Sequence, residues 1–351
     1  PNYQLLQTKT THPKQPNYQP MLKFSIRVNN DLTLPEYVAL AQAAETAGFD
    51  QFWVSNDLFL RRAPVILAAL VGVTERIELG TCILNPYTID PSEIAMLAAT
   101  MDELSGNRFN LGLAAGAADF LKWVGIEQKR PLTAMKETIQ VIRQLLAGER
   151  AEYSGHFLQW GNEAYLRFDA PRITPIYLGA LGPKMLALAG ESADGVLPLL
   201  FPPEHFHTVK PLIEQGVMKR AGALPPLDFA ACIWVSLDED GAAARRVLAQ
   251  KIAYYGHALS PLSLEQLGLT DEDFTDIEQA MMVENDADKA IGLVTEQMMR
   301  IGVTGRPEEL LPRLQTLIAA GAQHLSFGPP LGPDPVRGIE LLGREVLPAL
   351  R

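Results

Sequence analysis

Eight short apolar runs recur along this chain, each closing on small or polar residues and followed by a helical pattern. That alternation restricts the fold more than any other feature. "LKFSIRV" at residues 22–28 is followed by "LPEYVALAQAAETAG", whose helix stops at Gly48. "DQFWVS" precedes "PVILAALVGVT", and "RIELGTCIL" precedes a helix that opens on "DPSE". In that opening Asp90 can cap, Pro91 suits the first helical position and Glu93 favours the positive end. Ile94, Leu97, Met101 and Leu104 fall at helical spacing and predict its buried face. "RFNLGLAAG" reads as a fourth strand, and Leu132, Met135, Ile139, Ile142 and Leu146 mark the helix after it.

"PIYLGA" with "PKMLALAGES", then "GVLPLL", then "LDFAACIWVSL" continue the series, and "RPEELLPRLQTLIAAGAQHLSFG" gives a last helix and an eighth strand. Repeated strand–helix units of this number predict an α/β fold, a (β/α)₈ TIM barrel rather than a doubly wound sheet. The helical, acidic segment from about 255 to 306 is longer than one connection needs and reads as an insertion before the last unit. Residues 21–351 are expected to form one domain. Residues 1–20 are polar, punctuated by proline and repeat "PNYQ", which predicts a flexible extension.

With 351 residues, 47% of them hydrophobic, the chain can bury a large core. A net charge of −11 argues against nucleic-acid or anionic-membrane partners. The longest apolar stretch, "APVILAALVGV", is too short to span a bilayer. Two distant cysteines, Cys82 and Cys232, suit a reducing, cytoplasmic setting. "EHFH" at Glu204 to His207 lacks further ligands nearby and reads as a solvated loop, so no metal is expected. Neither a GxSxG elbow nor a GxGxxG turn is present, and "GLAAGAA" only imitates the latter.

Barrel active sites lie at the carboxyl ends of the strands. Those ends supply Arg27, then Asn56 and Asp57, then Thr81, Cys82 and Asn85, then Ala115 and Gly116 with Asp119 beyond. "LGTCILNPY" turns a core strand abruptly polar, as expected if a flat ligand lies across it. "GALGPKM" (Gly179, Ala180, Leu181, Gly182, Pro183, Lys184, Met185) is a glycine-rich turn into a helix, whose free amides and lysine suit a phosphate. Asp57, next to Leu58, Phe59 and Leu60, is expected to hold a raised pKa and to move a proton.

"RIELGTCILNPYTIDPSEIAMLAATMDELSGNRFNLGLAAG" and "PIYLGALGPKMLALAGESADGV" resemble the luciferase-like superfamily of flavin and deazaflavin barrels. "GLVTEQMMRIGVTGRPEEL" and "SFGPPLGPD" most resemble its methylenetetrahydromethanopterin reductases, which use the deazaflavin coenzyme F420. The resemblance implies F420, or FMN as in the monooxygenase branch, and hydride transfer to a small-molecule substrate. It also implies a cis peptide at Cys82–Ile83 behind the ring, Asn85 at the ring's polar edge, and Gly112 and Gly116 letting the ring lie close. Departures stand out. The strand-one glutamate of the reductases is Arg27, and the Asp-His pair after strand two is Asn56–Asp57. A cofactor-binding paralogue without turnover is therefore a third possibility. The superfamily's barrels pair through helices two and three, and Ile66, Leu67, Leu70, Ile94, Leu97 and Met101 there predict a homodimer.

Overall fold

A computed structural model describes residues 22–256 and 259–351. The expected N-terminal extension lies outside them. Eight parallel strands close into a barrel: β1 (Lys23–Val28), β2 (Gln51–Val54), β3 (Glu78–Thr81), β4 (Phe109–Leu113), β5 (Ile176–Gly179), β6 (Gly195–Leu197), β7 (Asp228–Leu237) and β8 (His324–Leu331). Each pairs with its neighbour in sequence, and β8 closes onto β1 with Ser326 opposite Ser25. The fold is the (β/α)₈ barrel that the alternation predicts.

Side chains alternate along a strand, so every second residue points into the barrel. Trp53 and Tyr177 fill the interior, their rings 4.8 Å apart. They fit because glycine stands where their neighbours would otherwise project. A Cβ on Gly80 would collide with the Trp53 ring, and one on Gly195 with the Tyr177 ring. The glycine of "LGTCILNPY" thus serves packing inside the wall.

Below these rings the interior is polar. Asp228 accepts from Lys23 Nζ at 3.0 Å, from Tyr177 Oη at 2.8 Å and from His324 Nδ1 at 2.8 Å. His324 Nε2 lies 2.8 Å from Ser25 Oγ, and both residues are buried. Gln51 Nε2 donates to Tyr177 Oη at 3.0 Å and to Glu78 at 2.9 Å, while Trp53 Nε1 donates to Gln51 Oε1 at 3.1 Å. Every large polar group on this floor has a partner, as burial requires.

The helix at Pro91–Ser105 begins as expected, with Asp90 accepting from Ser92 N and Gly106 ending it at φ 65°. Its buried face differs from the expected stripe. Ile94, Ala95, Ala98, Met101, Asp102 and Ser105 face inward, whereas Leu104 is 54% exposed. The reason is Asp102, which is fully buried because it accepts from Arg172, Thr174 and the Phe109 amide. That bonded carboxylate rotates the helix inward, and small alanines let it approach. The residues offered as spare surface for a dimer are also mostly consumed: Ile66, Leu67, Leu70, Ile94 and Met101 are buried within their own chain.

After the helix Gly241–Tyr255, short helical pieces run to the strand Val303–Gly305, which pairs with the outer end of β7. This segment packs its own apolar cluster, with Leu264, Phe274, Ile277 and Met298 against Leu248, Ile252 and Trp234.

Asp228 tests the floor. Burial alone would raise its pKa, but His324 and then Lys23 outweigh that and hold it well below the ordinary carboxylate range. A depressed pKa stabilises the fold above the unfolded value of about 3.9, and that share is lost as pH falls below it. Asp228→Asn should therefore cost about 3–5 kcal/mol at pH 7, the scale for breaking a buried charged contact. The gap from wild type should narrow in urea titrations run near pH 3.

Candidate functional site

The carboxyl ends of the strands divide into two unlike halves. Along β3 to β5 they form a low, largely uncharged shelf. The peptide bond between Cys82 and Ile83 is cis, as the resemblance implied. Beyond it the chain rejoins β4, Leu84 N donating to Gly112 O at 2.9 Å and Ala114 N to Leu84 O at 3.0 Å. Cys82, Ile83, Ala114, Ala115, Gly116 and Gly179 are all half-buried, a strip of mostly small residues across three strand ends. Gly179 keeps the strip low, because a Cβ there would press on Ala114 and Ile83 at 3.1 and 3.2 Å. Burial pushes the Cys82 thiol up to about 12, against the opposing pull of Arg27, so the sulfur is a neutral surface and not a nucleophile.

Thr81 and Gly112, expected at the ligand, are instead buried in the wall. Thr81 Oγ1 donates to Gly112 O at 3.1 Å and accepts from Gly112 N at 3.0 Å, and a Cβ on Gly112 would collide with Thr81 O. They clamp β3 to β4 at minimum separation. Asn85 holds a turn with its carbonyl oxygen, which accepts from the Tyr87 and Thr88 amides, while its amide nitrogen faces Gly116 at φ 77°. Gln128, unremarked in the sequence, donates to Ala115 O at 2.9 Å and Gly116 O at 2.8 Å and fixes that loop. Asp119 does not reach the shelf. It is exposed and paired with Lys122 at 2.7 Å. Ala180 is buried, but Leu181 and Gly182 are exposed ahead of the helix Pro183–Ser192, as are Pro183 and Lys184 in its first turn, and the Met185 and Leu186 amides donate to Gly182 O at 3.0 Å.

The other half, from β6 to β8 and on to β1 and β2, is charged and aromatic. Arg27 is 6% exposed, donating to Ser326 Oγ and to Ile233 O, both at 3.2 Å. Such an arginine is a fixed charge in the wall and cannot serve as an acid. Asn56 accepts from Ala63 N at 3.1 Å and so shapes the loop after β2. Buried Asn30 grips the same loop, accepting from Asp57 N and donating to Asp57 O and Arg61 O. Asp57 is thereby held at the mouth, exposed to solvent on one side while protein closes around the other. Burial, then the charge of Asp31, raises its pKa, and Lys251 opposes. The expected shift is present with a different cause, since Phe59 and Leu60 point outward at 75% and 45% exposure.

Three further groups escaped notice in the sequence. Trp234 stacks on Phe201 at 4.2 Å, and Lys251 sits beside them. Counting alternate residues of β7 from Asp228 would have placed Trp234 inside the mouth; nothing local marks Lys251. The Glu204–His207 run is a bonded turn and not a solvated loop, for Glu204 accepts from Arg313 at 2.7 Å and His205 is buried.

The sequence profile of the luciferase-like monooxygenases matches residues 8–324. The 5,10-methylenetetrahydromethanopterin reductase of Archaeoglobus fulgidus is 33% identical over 334 residues, 94% of this chain and all of that protein. An F420-dependent glucose-6-phosphate dehydrogenase of Nakamurella multipartita is 30% identical, over 95% of this chain and 97% of its own length. The structure of the coenzyme F420-dependent tetrahydromethanopterin reductase from Methanopyrus kandleri superposes with a TM-score of 0.88 at 30% identity, covering 95% of this chain and all of the other.

The charges at the mouth yield a direct test. Carbon NMR of the aspartate carboxyls should show Asp57 titrating above the ordinary aspartate value. Asp31→Asn removes a like charge and should lower that pKa, whereas Lys251→Met removes an opposite charge and should raise it further.

Proposed function

The chain belongs to the luciferase-like monooxygenase family, and from that membership we propose that it is an F420-dependent oxidoreductase moving a hydride between the deazaflavin and a small organic substrate. The shelf is the observation that carries this. A strip of small, half-buried residues suits the face of a tricyclic ring, and Gly182 leaves open space in the exposed turn ahead of the helix Pro183–Ser192. The exposed Lys184 beside that turn suits a phosphate. FMN needs a similar shelf and anion site; the relatives named for F420 favour the deazaflavin.

When bound, the deazaflavin supplies the two-electron hydride chemistry. The protein orients and protonates. Ile83 and Gly179 would support the ring, the Asn85 amide would meet its polar edge, and Lys184 would hold the phosphate. Burial raises the proton affinity of Asp57 above the ordinary carboxylate value, and at the mouth it would be placed to exchange a proton with substrate. Arg27 replaces the reductases' strand-one glutamate with a bonded cation, so the substrate is kept here at the level of a small organic molecule.

We also propose a homodimer, on different residues from those expected. Val65, Met96 and Leu104 on the second and third helices are 70%, 38% and 54% exposed. Light scattering at micromolar concentration should return twice the chain mass. The protein holds no helix, among the described residues, long and apolar enough to cross a membrane.

Titration of the purified protein with F420 and with FMN tests the cofactor. F420 should bind at least about tenfold tighter, and Lys184→Ala should weaken it by about tenfold to a hundredfold, the scale of one charge-assisted bond. Equal affinities, or an unaffected folded variant, would place the cofactor or its phosphate elsewhere.

A further inference from the structure

One cation at the mouth has no task in the chemistry above. Lys251 lies in the last turns of the helix Gly241–Tyr255, where the insertion begins. Its Nζ is 3.9 Å from the centre of the Tyr255 ring and 5.4 Å from that of Trp234. Trp234 is braced in turn by Phe201, and both are almost fully buried. An aromatic seat holds an ammonium by attraction to the ring faces without neutralising it. Among the described residues no carboxylate forms a salt bridge with it.

The charged and titratable groups around it come from every neighbouring element. Arg27 stands on β1, Asp31 on the loop after β1, Asp57 on the loop after β2, and Tyr255 on its own helix. Arg27 is committed to Ser326 and to a carbonyl in the wall. A guanidinium does not give up its proton, so Lys251 is, among the described residues, the cation of this group that can act as an acid.

Resting on the hydride-transfer reading, we propose that Lys251 is a catalytic residue that hydrogen-bonds a substrate carbonyl oxygen and gives it a proton as the adjoining carbon gains hydride. In reduction, the hydride of the reduced deazaflavin forms the new C–H bond, the C=O π pair takes the proton from Nζ, and an alcohol and a neutral amine result. Solvent or Asp57 returns the proton to the amine. In oxidation the neutral amine takes the hydroxyl proton as the hydride leaves. An ammonium at this position stabilises a developing alkoxide and opposes a cationic iminium, so the substrate class is a carbonyl–alcohol pair. Burial, with Arg27 adding to it and Asp31 and Asp57 opposing, brings the Lys251 pKa down to about 8, within reach of proton exchange near neutrality.

Two measurements test this on the whole chain. The first needs no cofactor: lysines carrying ¹³C-methyl labels are titrated by NMR, with Lys251→Met assigning the signal. Lys251 should titrate near 8, and Asp57→Asn should lower it further by removing a neighbouring negative charge. Titration in the ordinary lysine range, unmoved by Asp57→Asn, would overturn the proposal. The second uses F420 and a panel of simple ketones, aldehydes and alcohols. Lys251→Met should keep F420 affinity within twofold while turnover falls by about a hundredfold. Lys251→Arg should recover KM but not kcat, since guanidinium does not release its proton. The fall in reduction rate above about pH 8 should vanish in both variants. Turnover within threefold of wild type in Lys251→Met, or no carbonyl–alcohol turnover with F420 bound, would overturn this role alone. Failure of the wild type to bind F420 would overturn the cofactor assignment, and this role with it.

Discussion

The packing of Trp53 and Tyr177 against Gly80 and Gly195 sets the geometry on which the site depends. A barrel of eight strands has an interior just wide enough to be filled by side chains, and any layer of uniformly large residues would overfill it. Here two aromatic rings take most of the middle layer, and glycines at the paired positions of the adjacent strands yield the space. Each ring also carries a polar handle. Tyr177 reaches down to Asp228, and Trp53 to Gln51, so the aromatic plug is tied to the hydrogen-bonded floor. With the floor and middle filled, the space left for a ligand is the layer above, where Arg27, Cys82, Trp234 and Gly328 stand.

That upper layer is asymmetric because its two halves are built from different material. Between β3 and β5 the chain uses glycine, alanine and a cis bond, and the backbone itself forms the surface. Such a surface suits a broad, flat face and offers little to a charged fragment. Between β6 and β2 the chain uses long charged and aromatic side chains, which suit a smaller reacting group approached from the side. Arg27 belongs to the second half but is locked into the wall by Ser326 and Ile233. Its charge is felt at the mouth, and a guanidinium does not release its proton. A bonded cation at this strand-one position thus leaves the shelf undisturbed.

Much of the fold was legible because it rests on periodicity. The eight strands, the Asp90 cap and the insertion follow from alternation, capping chemistry and length. What escaped were properties of pairs distant in sequence. Asp102 turns its helix inward because Arg172 and Thr174 arrive from far along the chain. Thr81 and Gly112 looked like ligand-facing residues and are clamps, since each satisfies the other across two strands. Of the candidate site, backbone features were readable: the cis bond at Cys82–Ile83 and the turn before the helix at Pro183. Lys251 was not, because its position is set by the helix that carries it, and that helix is placed by an insertion with no partner motif in sequence.

The insertion therefore does more than lengthen the chain. Leu248, Ile252, Phe274, Ile277 and Met298 form an apolar cluster that reaches Phe201 and Trp234 at the barrel mouth. Burying these side chains fixes the angle of the helix Gly241–Tyr255, and Lys251 lies one residue from Ile252 on that helix. Its reduced proton affinity follows from the same packing, because the cluster withdraws solvent from one side of the ammonium while Asp31 and Asp57 restore only part of the lost stabilisation. Lys251 is thus tuned by the packing around its helix together with the charges of Arg27, Asp31 and Asp57 on the barrel. Repacking this cluster would shift the proton affinity of Lys251 while leaving the shelf from β3 to β5 untouched.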